Sequence, residues 1–138
     1  MTFVEIGKCT HTNGNELKGD VRITLYAKEN YPAYGIRFHP NFIEEHFDWD
    51  ENTKIAFFIP EEAPHRLYFK ITPNAKSAKY GRKLSKSKAK NALRPSYSAR
   101  VTVKVAPQLE NFVGEYLAHF DANEQMFFVS TMAGKQEF

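Results

Sequence analysis

Alternation of apolar and polar residues along the chain predicts several β-strands. In residues 66–72, Leu67, Phe69 and Ile71 alternate with charged or polar neighbours, and a period of two is typical of a strand with one buried face. The same alternation, or a short apolar run, predicts further strands at residues 2–7, 20–27, 34–38, 54–59, 97–105 and 125–131. Strands therefore make up most of the regular structure that the pattern predicts.

A period near 3.6 residues predicts two helices, each beginning at a proline, which suits the first helical turn. In residues 40–47, Phe42 and Ile43 begin a short apolar side. Residues 107–119 carry a longer stripe. Its members are Leu109, Phe112, Val113, Tyr116, Leu117 and, just beyond, Phe120. The expected fold class is α+β, a single domain over residues 1–138 with a mostly antiparallel β-sheet and two helices.

Composition narrows the class of protein. With 138 residues, 42% of them hydrophobic, the chain is long enough to bury a core without disulfides or metals. Cys9 is the only cysteine, so an intrachain disulfide is excluded. No run reaches the ~20 apolar residues of a membrane span, and residues 1–8 do not resemble a secretory leader. We expect a cytoplasmic protein that does not contact membranes.

The motifs of catalysis and cofactor binding are missing from the sequence. It holds no nucleophile elbow, phosphate loop, dinucleotide fingerprint or paired-histidine zinc helix. The acidic stretch 48–51 lacks the spacing of a calcium loop, and Cys9 with His11 is too short a motif for a zinc site. We therefore expect no enzymatic activity, no cofactor and no metal.

Charge is distributed unevenly along the chain, and this distribution is the strongest indication of function in the sequence. Residues 64–108 contain 12 of the 19 lysines and arginines and no acidic residue, so this window carries a charge of +12. The remainder of the chain has a charge of −9, which the total of +3 conceals. Such separation is typical of a surface that meets a polyanion, and nucleic acid is the commonest one in a cell.

Two strands within the basic window are candidates for a binding surface. If strands 66–72 and 98–105 pair as an antiparallel hairpin, their outward side chains share one solvated face. These side chains are Arg66, Tyr68, Lys70, Arg100 and Lys104. A two-stranded ribbon of this kind fits the major groove of duplex DNA.

The segment between these two strands, residues 74–96, is rich in Lys, Ser and Ala and poor in large apolar residues. It cannot bury enough apolar surface to fold alone, so we expect a flexible basic arm. Its candidate phosphate contacts are Lys79, Arg82, Lys83, Lys86, Lys88, Lys90 and Arg94. Phosphate contacts add affinity and position a protein, but they do not read base sequence.

Part of the chain resembles a known DNA-binding domain. The strand Ile36-Arg37-Phe38 followed by His39-Pro40, a short helix at 41–47 and strands at 54–59 and 67–71 resemble the swapped-hairpin domain of AbrB and MazE-type regulators. The resemblance covers residues 35–72. It implies that Arg37 is the matching DNA-contact position, and that the protein binds DNA as a regulator of this type.

These observations favour a nucleic-acid-binding protein that acts through the basic hairpin and arm, with duplex DNA preferred over RNA. Regulation of transcription and packaging of DNA are both open as its role. The protein would then lie in the cytoplasm, associated with the nucleoid, and a homodimer is compatible with either role. The alternative is a small inhibitor or adaptor, of the kind that phages and mobile elements encode, which binds a host protein through its charged surface. The sequence alone does not separate these alternatives, because both need surface charge.

Overall fold

The computed structural model describes residues 17–26, 30–75, 81–88 and 90–132. Within these ranges the regular structure is mainly β. The strands are Val21–Tyr26 (β1), Ala33–Phe38 (β2), Lys54–Phe58 (β3), Arg66–Thr72 (β4), Arg82–Lys83 (β5), Ser85–Ser87 (β6), Ser96–Thr102 (β7), Gly114–Tyr116 (β8), His119–Asp121 (β9) and Met126–Ser130 (β10). The strand expected at 2–7 lies outside the described residues.

The strands form two antiparallel sheets of five strands each. Sheet I has the order β6-β7-β2-β1-β8, and sheet II has the order β5-β3-β4-β10-β9. Every pair of neighbouring strands is antiparallel. The expectation of a mostly antiparallel β structure is therefore confirmed, with two sheets in place of the single sheet that the strand pattern suggested.

The chain passes between the two sheets at both of their edges. β5 pairs with β3 in sheet II, and after the single residue Leu84 the chain continues as β6, which pairs with β7 in sheet I. On the other side, β8 lies at the edge of sheet I and β9 at the edge of sheet II, only two residues apart. Strands that switch sheets make corners between packed sheets. Both pairs of edges are thus joined.

The core lies between the inner faces of the two sheets. Ile36 and Phe38 of sheet I face Leu67 and Phe69 of sheet II, and all four side chains are buried. The Phe38 and Phe69 ring centroids lie 5.3 Å apart. Burial of side chains of this size stabilises a fold by ~1.5–3 kcal/mol each. The inward positions that the alternation predicted in 66–72 are therefore confirmed.

The helix expected at 40–47 is present as Pro40–His46 (α1). Pro40 occupies the first turn, and the His39 Nδ1 atom accepts a hydrogen bond (3.1 Å) from the Asn41 backbone N–H, which caps the helix. Phe42 and Ile43 are buried, so the helix covers one end of the core. No helix in the described ranges has the length and apolar character that crossing a membrane requires.

The prediction of a second helix at 107–119 is wrong beyond the first turns. Only Pro107–Phe112 is helical, as a 3-10 helix, and β8 and β9 follow it. Val113 already has an extended backbone (φ −61°, ψ 123°), and Gly114 follows with a φ of 150°, so the helix does not continue. Asp20 then holds the extended chain: its backbone N–H donates to the Tyr116 carbonyl (2.8 Å), and its carboxylate accepts from the Ala118 N–H (2.8 Å).

The expectation of a free basic arm at 74–96 is also corrected for the described part of that segment. Leu84 has 0% exposure and separates β5 from β6. Its N–H donates to the Thr53 carbonyl (3.0 Å), and its carbonyl accepts from the Trp49 indole Nε1–H (2.8 Å). One apolar side chain and two short backbone pairings therefore attach this segment to both sheets. Residues 76–80 and 89 lie outside the described residues.

Candidate nucleic-acid interface

The outer face of sheet I is polar and carries a row of small and cationic side chains. Cross-strand pairing places Ser85 beside Ser98, Ser98 beside Arg37, and Arg37 beside Arg22. Because side chains two residues apart share a face, Arg100 of β7 also lies on this side, paired with Gly35 of β2. Serine and glycine leave the surface low between the longer basic side chains.

This low surface forms a groove of about 740 Å³, which we call the basic groove. Its lining residues are Tyr26, Gly35, Ile36, Arg37, Arg82, Lys83, Ser85, Ala92, Ser96, Ser98, Ala99 and Arg100. Four of these side chains are cationic, three are serine hydroxyls, and none of these described residues is acidic. The groove therefore presents positive charge and hydrogen-bond donors with no lining carboxylate to repel an anion.

Arg82 and Lys83 are held at the groove by β5. Their backbones pair with Ile55 and Lys54 of sheet II, and the next residue, Leu84, is fully buried. Both side chains are nevertheless exposed. Among the described residues no ion pair joins Arg82 or Lys83 to a carboxylate. Because the backbone is fixed, binding of an anion costs side-chain rotamer entropy but little backbone entropy.

Arg100 lies on the opposite wall, close to an aromatic ring. The guanidinium Cζ of Arg100 is 5.5 Å from the centroid of the Tyr26 ring. Tyr26 lies against Gly35, where a Cβ atom would stand only 2.3 Å from the Tyr26 Cε2 atom. The glycine therefore makes room for the ring on the sheet surface. Tyr26 keeps 45% of its surface exposed.

The acidic edge of sheet I is neutralised within the sheet. Glu115 of β8 accepts from Arg22 at 2.7 Å and 2.8 Å, through Nη2 and Nε. Its second oxygen accepts from the Gly19 N–H (3.0 Å). Both Arg22 nitrogens donate to the same oxygen, Oε1, and both side chains are partly buried, so this charged contact is stronger than an exposed pair. The one carboxylate in the cross-strand row is thus already satisfied by donors of its own sheet.

The basic hairpin expected from the sequence does not form. β4 lies in sheet II between β3 and β10, while β7 lies in sheet I between β2 and β6. Both strands have neighbours on either side, so neither offers a free edge to the other. Lys70 is exposed on sheet II, Lys104 is exposed in the turn after β7, and only Arg100 of the expected hairpin residues lines the basic groove.

Tyr68 and Arg66 form a separate polar cluster on the outer face of sheet II. Tyr68 is buried, and its hydroxyl donates to Asp121 Oδ2 (2.7 Å) while accepting from Arg66 Nη1 (3.2 Å). The hydrogen bond to Asp121, together with burial, raises the pKa of Tyr68. The Arg66 guanidinium lies 4.5 Å from the Phe128 ring centroid. The expectation that Tyr68 is exposed for contact with nucleic acid is therefore wrong.

The residues expected in the arm lie at several different places. Arg82 and Lys83 line the basic groove, whereas Lys86 points away, with its Nζ 5.4 Å from the Trp49 ring centroid and 5.7 Å from that of Tyr97. Arg94 bonds to Asn41 and Glu44, which ties it to α1. Two further lysines of this set, Lys88 and Lys90, are exposed. Lys79 lies outside the described residues.

Sequence reasoning missed the three serines, Gly35 and Tyr26 as groove residues. Ser85-Lys86-Ser87 and Ser96-Tyr97-Ser98 repeat serine with a period of two, which is a signal for a polar strand face. Composition hid that signal, because serine and lysine together are typical of disordered segments. Arg37, which the family resemblance pointed to, does line the groove.

Neither a metal centre in the described residues nor a match to a known family identifies the site. In the residues that the structure describes, no three His, Cys, Asp or Glu side chains are grouped so as to hold a metal ion. Comparison of the chain with family models, curated proteins and solved structures found no match. The function is therefore inferred from the geometry and charge of the basic groove.

Proposed function

We propose that this protein binds nucleic acid and holds a sugar–phosphate backbone in the basic groove. The observation that carries the proposal is the lining itself: four cationic side chains around a serine floor, with no carboxylate among them. Arginine binds phosphate through two parallel N–H groups, and serine hydroxyls and backbone N–H groups add neutral hydrogen bonds. Successive phosphates along a nucleic-acid strand can each bind one group of these donors.

The mode of binding differs from insertion of a ribbon into the major groove. The strands that would have made such a ribbon belong to different sheets, and the basic surface is concave. A concave surface with cations on its walls surrounds a single backbone rather than entering a duplex groove. The proposed role is therefore the capture of a phosphate backbone, whatever process that capture serves.

A salt titration tests the proposal directly. If about four phosphates are neutralised, the slope of log K against log salt is about −3, and affinity falls roughly 60-fold between ~50 and ~200 mM salt. The double variant R82Q/K83Q should make that slope less steep by about 1 to 2, because each lost contact removes about one released counterion. Fluorescence anisotropy with a labelled oligonucleotide measures both quantities.

The matched control is K70Q/K104Q, which removes the same charge from exposed positions outside the groove. It should leave the salt slope close to that of the wild type. Equal effects of the two double variants would mean that net charge alone drives association, and the proposal would then be abandoned. Unfolding midpoints of both variants exclude loss of fold as the cause.

The same donors also fit the carboxylates of an acidic protein surface, since arginine pairs with carboxylate in the same bidentate geometry. This keeps an inhibitor or adaptor role as the second candidate. A protein partner that co-purifies with the wild type after nuclease treatment, and is lost with R82Q/K83Q, would favour it. Retention of nucleic acid that disappears on nuclease treatment would favour the first proposal.

A further inference from the structure

Tyr26 is the one aromatic residue among the described residues that line the basic groove, and it keeps 45% of its surface exposed. It reaches over Gly35, where the missing side chain leaves room for the ring, and it lines the same groove as Arg37, Arg82 and Arg100. An exposed aromatic ring held against a sheet loses little entropy when a flat group stacks on it.

The surroundings of the ring favour a flat, electron-rich partner. The Arg100 guanidinium lies over the Tyr26 ring, with its Cζ 5.5 Å from the ring centroid, which is a cation–π distance. Because the Arg100 side chain is exposed, it can move aside, and a flat group that stacks on Tyr26 then keeps the guanidinium plane beside it. Nucleobases stack on both aromatic rings and guanidinium planes.

We infer that the basic groove binds unpaired nucleotides, with one base stacked on Tyr26 and the flanking phosphates held by Arg37, Arg82, Lys83 and Arg100. This inference rests on the proposed function and names its ligand class. In a duplex the base faces are already stacked on one another, so the Tyr26 ring reaches a base face only in a single strand. Tyr26 then adds affinity that phosphates alone do not supply.

The test separates the contribution of the base from that of the phosphates. Three probes of equal length are compared at ~50 mM salt: oligothymidine, an oligomer of abasic residues with the same phosphates, and a duplex. Wild-type protein should bind oligothymidine about 5- to 100-fold more tightly than the abasic oligomer, which is the range expected for one stacked base. Duplex binding should be weaker than oligothymidine binding.

Substitutions at Tyr26 test whether this residue causes the difference in affinity between oligothymidine and the abasic oligomer. Tyr26→Leu keeps apolar bulk but removes the ring, so it should bind oligothymidine and the abasic oligomer equally, with its affinity for the abasic oligomer unchanged. Tyr26→Phe keeps the ring and should retain the wild-type difference. Tyr31→Ala is the matched control, since Tyr31 is 78% exposed and does not line the groove.

Failure of this inference is distinguishable from failure of the proposed function. If wild-type protein binds both single-stranded probes equally and both weaken steeply with salt, stacking is excluded while phosphate capture is retained. If Tyr26→Leu weakens binding of both probes by the same factor, Tyr26 shapes the groove and does not stack on a base. If no probe binds at ~50 mM salt, the proposed function itself is wrong.

Discussion

At the scale of the residue, Tyr68 and Asp121 show how a side chain on the expected face can have a different role. Alternation places Tyr68 outward, and it does face away from the core of sheet II. It is nevertheless buried there, because its hydroxyl binds Asp121 and its ring packs 5.1 Å from that of Phe128. Alternation predicts the face of a strand, but it carries no information on what covers that face.

This pair gives a pH dependence with a definite sign. The hydrogen bond from Tyr68, helped by the N–H groups of Glu124 and Asn123, lowers the pKa of Asp121 below its ordinary value of 3.8. A lowered folded-state pKa contributes stability above that ordinary value, which is lost as pH falls through the folded-state pKa. Asp121→Asn should therefore lower the unfolding midpoint at pH 7, and this deficit should shrink as pH falls below 3.8.

Thermal unfolding from pH 7 to pH 2 measures the gap in unfolding midpoint between Asp121→Asn and the wild type. The gap should narrow below about pH 4, where the free carboxyl becomes protonated. Glu45→Gln, which removes an exposed carboxylate of α1, is the control for a general change in charge. A gap that stays constant over this range would contradict the role assigned to the hydrogen bond.

At the scale of the element, the short strands β5 and β6 decide where the basic residues lie. Sequence alternation identified β4 at its observed bounds, because a long strand with one buried face repeats the pattern several times. β5 and β6 have two and three residues, too few for any period to emerge. The prediction of a long helix at 107–119 failed for the opposite reason. A strong helical period was present, but the chain becomes extended at Val113 and pairs as β8 with β1.

Leu84 should be the residue on which this segment depends. Leu84→Ala removes a fully buried side chain and should lower the free energy of unfolding by ~2–5 kcal/mol. Leu93→Ala is the matched control, since Leu93 lies in the same basic window with 96% exposure, and it should change stability by less than ~0.5 kcal/mol. Urea denaturation measures both variants. Equal, small effects would mean that the segment is not anchored to the sheets.

At the scale of the whole molecule, the basic window of the sequence is divided between two outer faces. Lys70 and Arg66 lie on sheet II, where Arg66 belongs to the cluster with Asp121, while Arg82, Lys83 and Arg100 line the groove of sheet I. The sequence therefore predicted a polyanion-binding charge distribution but not its site. The groove is produced by the pairing of β2 with β7, which lie far apart in the chain, and that register depends on packing of both sheets.

Binding in the basic groove is tested most directly by amide chemical shifts in solution. These shifts map where a short single-stranded oligonucleotide binds. At ~50 mM salt we expect the shifts to concentrate on the outer face of sheet I, at Gly35, Ser85, Ser98 and Arg100, and to diminish at ~200 mM salt. The outer face of sheet II, including Lys70, should remain unchanged. Shifts confined to sheet II, or no shifts at low salt, would contradict the claim that the basic groove binds nucleic acid.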